Sequence, residues 1–282
     1  MTNCIEIRGL VKQYKSFTLG PIDLKVPGGS IMGLIGENGA GKTTLIKSML
    51  GIVKPTAGTA VLLGADPDRA KEDIGMVLDD CFFSEYLRVR DVETVLCRVF
   101  KTWDKGLYRD YLDKFGLSGA KNIKELSRGM RMKLSLAAAL AHRPRLLLLD
   151  EATAGLDPVV RDEILDEFLA FVSDEDHAIL ISSHITSDLE KVADYIAYLH
   201  QGKLLLCDEK DRLLESYGRL VCAREELEQV DRGYLVSIRK SQYSTEALIR
   251  RRGDFKRLYP KLTVEPMTLD ELMVLVVKGE KA

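Results

Sequence analysis

The run Gly36-Glu-Asn-Gly-Ala-Gly-Lys-Thr-Thr44 carries the residue types needed to hold a string of phosphates. Glycines at 36, 39 and 41 let the backbone point successive N–H groups at phosphate oxygens. The helix expected directly after the run adds the partial positive charge of its N-terminus. Lys42 is long enough to reach β- and γ-phosphates, and the Thr43 hydroxyl is a donor suited to Mg²⁺. Asn38, Ala40 and Thr44 complete the set of nucleotide-binding candidates. The pattern counts only in a strand-then-helix setting, and Ile31-Met-Gly-Leu-Ile35 before it and Leu45, Ile46, Met49 and Leu50 after it provide one.

A second group of residues suits hydrolysis. Leu146-Leu-Leu-Leu-Asp150-Glu151 places Asp150 at the end of a buried strand, where it can hold the Mg²⁺ shell. Glu151 follows as a candidate general base for an attacking water. Two solvated acids after a core strand are the plainer alternative, and the phosphate loop upstream favours the chemical one. Thr153-Ala-Gly-Leu-Asp157 comes next, and Ile181-Ser-Ser-His184 follows one strand later. A lone strand-end histidine is usually structural. His184 comes just after the strand expected beside the acid-bearing one, which would bring its ring near a γ-phosphate.

These residues need rigid elements to carry them. Strands are expected at 4–7, 17–26, 30–35, 58–63 and 74–78. Helices are expected over 85–116 and 129–141, broken by the loop 116–125. Buried strands at 146–149 and 178–181 then alternate with helices at 158–172 and 186–193, and strands at 195–200 and 203–207 close the sheet. Such alternation predicts an α/β P-loop core with a mainly parallel sheet. An antiparallel β subdomain and an inserted helical subdomain, about 85–141, accompany it. The boundaries expected are a first domain over 1–217 and a small α+β accessory region over 218–282. The latter has short alternating strands and helices at 219–223, 233–239, 241–252 and 268–277 and no chemical motif.

Composition narrows the class. A chain of 282 residues with 46% hydrophobic and 30% charged side chains is globular. Its formal charge of −2 gives no basis for binding nucleic acid. Five scattered cysteines without a C-x-x-C pair suit reduced thiols rather than a disulfide framework or zinc. The N-terminus lacks the basic and apolar regions of a signal peptide, and no apolar run approaches the roughly 20 residues needed to cross a bilayer.

The order of motifs over about 3–217 resembles the nucleotide-binding subunit of ABC transporters. Gly36 to Thr43 matches that family's Walker A loop, and Leu146 to Glu151 its Walker B strand and catalytic glutamate. Ala154 to Asp157 matches the D-loop, His184 the switch histidine, and Tyr14 the aromatic that stacks on adenine. Leu126-Ser-Arg-Gly-Met130 stands where the family carries its signature. Alone it would pass for a helix cap, since Ser216-Tyr-Gly218 repeats the bare Ser-x-Gly. The resemblance implies ATP and Mg²⁺ as ligands and a head-to-tail pair, homodimeric or with a paralogue. In that pair Ser127, Arg128, Gly129 and Met130 of one subunit would face the other's ATP. It also implies a separate integral-membrane permease as partner, and a place at the cytoplasmic face of the membrane.

The sequence departs from the family pattern at three places. Arg128 and Met130 replace Gly and Gln in the usual L-S-G-G-Q. Asp79, with Asp80 behind it, stands where the family has a glutamine; it is either a ligand close to Mg²⁺ or a solvated loop acid. Ala152 replaces a Pro. The Asp79-Asp80 pair, the Ser-Arg-Gly-Met form and the tail Leu269-Asp-Glu-Leu-Met-Val-Leu together resemble subunits that pair with ABC-2-type permeases, often exporters, and Glu85 to Phe100 would grip the permease. A non-transport ATPase of the same superfamily and an ATP-gated regulatory module are the alternatives.

Overall fold

Three short runs, Ser30–Ile35, Leu146–Asp150 and Ala178–Ser183, are buried at every residue. Their side chains have no solvent-facing side, so they form the centre of a sheet covered on both faces. The computed structural model describes residues 2–240 and 245–281. The first part of the chain runs β1 (Asn3–Gln13), β2 (Thr18–Pro27), β3 (Ser30–Ile35), α1 (Lys42–Met49), β4 (Ala57–Leu62), α2 (Pro67–Ala70), β5 (Ile74–Val77), α3 (Val89–Leu96), α4 (Lys105–Lys114) and α5 (Arg128–Leu140). It continues with β6 (Leu146–Asp150), α6 (Pro158–Phe171), β7 (Ala178–Ser183), α7 (Thr186–Val192), β8 (Tyr195–His200) and β9 (Lys203–Glu209).

The central sheet has the order β5-β6-β7-β3-β8-β9, and β5/β6, β6/β7, β7/β3 and β3/β8 are all parallel. This order puts β7 between the strand that leads into the phosphate loop and the strand that ends in Asp150. Three chemical segments therefore emerge side by side at the carboxyl ends of adjacent strands, the usual position for a ligand on an open α/β sheet. A separate antiparallel sheet, β2-β1-β4, shares the core of Ile5, Ile7, Leu24, Leu34, Leu45 and Leu148 with it.

Two expectations from sequence need correction. Strand β1 extends to Gln13 rather than stopping at residue 7, because it pairs with both β2 and β4 and passes through register shifts on the way. The helix expected over 85–116 is two helices. Glu72 Oε1 accepts from the backbone N–H groups of Lys101 (2.5 Å) and Thr102 (3.1 Å), pinning the break, and Asp104 Oδ1 then caps α4 by accepting from Leu107 N.

The chain divides into two compact units between Cys207 and Asp208. The second contains α8 (Lys210–Ser216), β10 (Tyr217–Cys222), α9 (Arg224–Leu227), β11 (Leu235–Lys240), β12 (Thr245–Arg250), α10 (Arg252–Leu258), β13 (Val264–Glu265), α11 (Leu269–Lys278) and β14 (Glu280–Lys281). Its sheet order is β13-β10-β12-β11-β14, with a core of Leu220, Ala247, Ile249 and Phe255. Helix α8, assigned from sequence to the first domain, packs on β10 and α10 of this unit. The stretch expected at 241–252 is a strand followed by the start of a helix, and its residues 241–244 lie outside those described.

Candidate active site

The phosphate loop leaves the buried strand β3 and enters α1 through Gly41, whose φ of 108° lies in the region that favours glycine. A Cβ there would also lie 2.9 Å from Phe17 Cζ, so a side chain would have to push that ring aside. Lys42, only 6% exposed, turns back over the loop. Its ammonium donates to Gly36 O at 2.6 Å and lies 3.0 Å from Glu151 Oε1. The Thr43 hydroxyl donates to Asp150 Oδ2 at 2.6 Å, joining the loop to the end of β6.

Glu151 has a φ of 54°, an uncommon backbone state for a residue with a side chain and one that recurs at functional sites. The reversal directs its carboxylate back toward Lys42. Its N–H donates to both the carbonyl and the hydroxyl oxygen of Ser182, each at 3.1 Å. The Ser182 hydroxyl in turn donates to Asp150 Oδ1 at 2.5 Å. Glu151 Oε2 lies 2.6 Å from His184 Nδ1. Burial by itself would raise the Glu151 pKa; the hydrogen bond and charge of Lys42, with His184 behind them, outweigh it and hold the carboxyl below its ordinary value. Glu151 is thus an ionised acceptor fixed between two cationic or donating groups.

A cleft of about 320 Å³ is lined by Phe17, Glu37, Asn38, Gly39, Gly41, Lys42, Thr43, Thr44, Asp79 and Glu151. Residues far apart in sequence therefore line one cleft, Asp79 and Glu151 among them. Gly36 and Ala40 are buried beneath the loop. Tyr14 is not part of the lining: it is 44% exposed, with the Lys12 ammonium 5.3 Å above its ring. The aromatic lining the cleft is Phe17. Sequence reasoning missed both Phe17 and Ser182. The signal for Ser182 was a pair of hydroxyls closing an otherwise aliphatic buried strand.

Ser127 to Met130 do not line this cleft. Ser127 is the N-cap of α5, its Oγ accepting from Met130 N at 3.3 Å. Arg128 instead lines a separate hollow with Asp79, Asp80, Cys81, Arg131 and Met132. Asp157 caps α6 by accepting from Val159 N (3.2 Å) and Val160 N (3.1 Å).

The donor set suits Mg²⁺. A hydroxyl and carboxylates are the hard oxygen ligands that ion takes, and it keeps several positions for water and phosphate. Among the described residues no three His, Cys, Asp or Glu side chains converge as a metal site, so Thr43, Asp150 and Asp79 are the donors on hand.

The chain is similar to several known proteins. The family described as "ABC transporter" matches residues 19–154. The chain is 30% identical to the ABC transporter ATP-binding protein YtrB of Bacillus subtilis, over 98% of this chain and 99% of that protein. It is 38% identical to the bacitracin transport ATP-binding protein BcrA of Enterococcus faecalis, over 73% of this chain and 69% of that one. A solved structure of an ATP-binding subunit of an ABC transporter superposes with a TM-score of 0.67 at 24% identity, covering 74% of this chain and 90% of that chain. That last likeness concerns the fold.

Proposed function

Because the chain belongs to the ATP-binding proteins of ABC transporters, we propose that it binds Mg²⁺-ATP in the Lys42–Glu151 cleft and hydrolyses it to drive export through a separate permease. The observation that carries this reading is the Lys42–Glu151–His184 chain, with contacts of 3.0 and 2.6 Å, at the mouth of the phosphate loop. It brings a phosphate-binding cation, a general base and a histidine into one line.

Lys42 is placed to exchange its loop carbonyl for phosphate oxygens. Thr43 and Asp150 would hold Mg²⁺, with Asp79 nearby; when bound, the ion neutralises charge on the transferring phosphoryl group. Glu151, ionised, accepts a proton from the attacking water. His184, 2.6 Å from Glu151 through Nδ1, holds that carboxylate in place. Phe17, rather than Tyr14, is the aromatic positioned for a base.

Since Ser127 and Gly129 lie outside the cleft of their own chain, the reading needs a second subunit, whose α5 N-terminus would close over the phosphates. Intact ATP then holds two copies, or this chain and a paralogue, together, and its cleavage releases them.

An apolar hollow of about 280 Å³ is lined by Ile74, Met76, Phe82, Leu96 and Phe100, and the same stretch of chain exposes Tyr86 (84%), Val95 on α3 (47%) and Val99 just beyond it (61%). Among the described residues no helix is long and apolar enough to cross a membrane. An apolar patch of this kind supports docking on a membrane-embedded partner at the cytoplasmic face. The Asp79-Asp80 pair and the amphipathic α11 tail support an exporter.

Gel filtration of the Glu151→Gln protein tests the dimer. With Mg²⁺-ATP at millimolar concentration it should elute as a dimer, and without nucleotide as a monomer. A monomer under both conditions would sink the head-to-tail reading.

A further inference from the structure

Arg128 places a long cation at the third position of Leu126–Met130, where the family pattern has no side chain. Its guanidinium packs against Gly155, in the turn that runs from Glu151 to the cap of α6. A Cβ built on Gly155 would lie 2.8 Å from Arg128 Nη1, 3.0 Å from Cζ and 3.4 Å from Nε, so the guanidinium fills the space a side chain would take. Gly155 also has a φ of 68°, which excludes most side chains independently.

The same loop is held from its other side. Arg161 Nη2 donates to Leu156 O at 3.1 Å, and Nη1 lies 3.7 Å from Asp188 Oδ1. Asp188 is a buried carboxylate on α7, the helix that begins two residues after His184. Beside Arg128, a Cβ on Gly129 would lie 3.1 Å from Val160 Cγ1, so the first turns of α5 and α6 are also in contact. The 153–157 loop is therefore gripped between the signature helix and the segment that carries His184.

We propose that Arg128 is a positioning residue for ATP hydrolysis, acting through Gly155 to hold the 153–157 loop so that the signature helix and the His184 segment keep one relative geometry. In the dimer those two elements serve different ATP molecules, and the contact would tie one site to the other within a single chain. The inference rests on the hydrolytic reading of Glu151 and His184, whose failure would show separately as full turnover in Glu151→Gln. A planar, weakly hydrated guanidinium can lie on exposed backbone in a way that a compact, strongly hydrated ammonium cannot. A charge acting directly on a phosphate, by contrast, would be served by lysine as well.

The test compares full-length wild type, Arg128→Ala, Arg128→Lys, Gly155→Ala and the double variant Arg128→Ala/Gly155→Ala. It measures kcat and KM for ATP together with thermal unfolding. Arg128→Ala should lower kcat about 5- to 10-fold with KM within about twofold and unfolding unchanged. Lysine should not restore it. In the Gly155→Ala background, where the guanidinium is already displaced, the Arg128→Ala change should cost less than about twofold. Multiplicative losses in the double variant would overturn the proposal. So would rescue by lysine with the effect in KM, or unchanged kcat in Arg128→Ala.

Discussion

Ser182 Oγ lies 2.5 Å from Asp150 Oδ1 while accepting the Glu151 N–H at 3.1 Å. One hydroxyl from β7 thus fixes both acids where β6 ends, the carboxylate of Asp150 and the backbone of Glu151 directly after it. The neighbouring strand and the residue directly after it thus reach this acid pair twice, through Ser182 and through His184.

Replacing Ser182 with Ala would leave a buried carboxylate oxygen short of its donor. Partners of this kind behind a metal-holding carboxylate are worth about 10–100-fold in affinity or activity. Turnover should fall within that range and the Mg²⁺ concentration for half-maximal turnover should rise. Stability should drop by about 1–3 kcal/mol. A phosphate-release assay across a Mg²⁺ series, with urea unfolding alongside, reads both.

Glu151→Gln keeps the shape of the side chain and removes its ability to take a proton. Turnover should fall roughly 10²–10⁴-fold while ATP binding persists, as measured by phosphate release against binding of a fluorescent nucleotide. Turnover at the wild-type rate would remove Glu151 from the role of base.

Asp79 is exposed, so its removal should leave the fold intact. Asp79→Ala should raise the Mg²⁺ concentration needed for half-maximal turnover several-fold, on the order of 1 kcal/mol of lost binding. An unchanged Mg²⁺ titration makes it a solvated loop acid.

His142 is 2% exposed, its Nε2 is 3.2 Å from Ile74 O, and its ring stacks on Phe100 with centroids 4.1 Å apart. Burial, offset only in part by that carbonyl, pushes its pKa below the ordinary value of 6.5. Below pH 6.5 the unfolded chain takes up this proton while the folded one resists it, so stability must decline as pH falls from 6.5 toward the folded value. His142→Gln keeps a donor for Ile74 O and does not titrate. Thermal unfolding at pH 7 and pH 5 should show a smaller loss in the variant than in wild type.

The sequence by itself determined the local chemistry. Gly39, Gly41, Lys42 and Thr43 are legible because a phosphate loop is contiguous, and its requirements are written in neighbouring residues. Asp150, Glu151 and His184 are legible because buried parallel strands read as unbroken apolar runs whose ends stand out. The parallel core followed from the same runs.

What only the tertiary structure decided were relations between segments. That β7 lies between β3 and β6 follows from strand order, and strand order gives Ser182 its two partners. That Phe17 lines the cleft while Tyr14, three residues earlier, does not is a matter of packing that no local pattern distinguishes. The break between α3 and α4 depends on Glu72, about thirty residues away, accepting two backbone N–H groups. Ser127 reads the same from sequence and from structure, as a helix cap, but its absence from its own chain's cleft is a matter of distance. Sequence patterns report what each residue can do; packing sets which residues meet, because hydrogen bonds and ion pairs form only over a few ångströms.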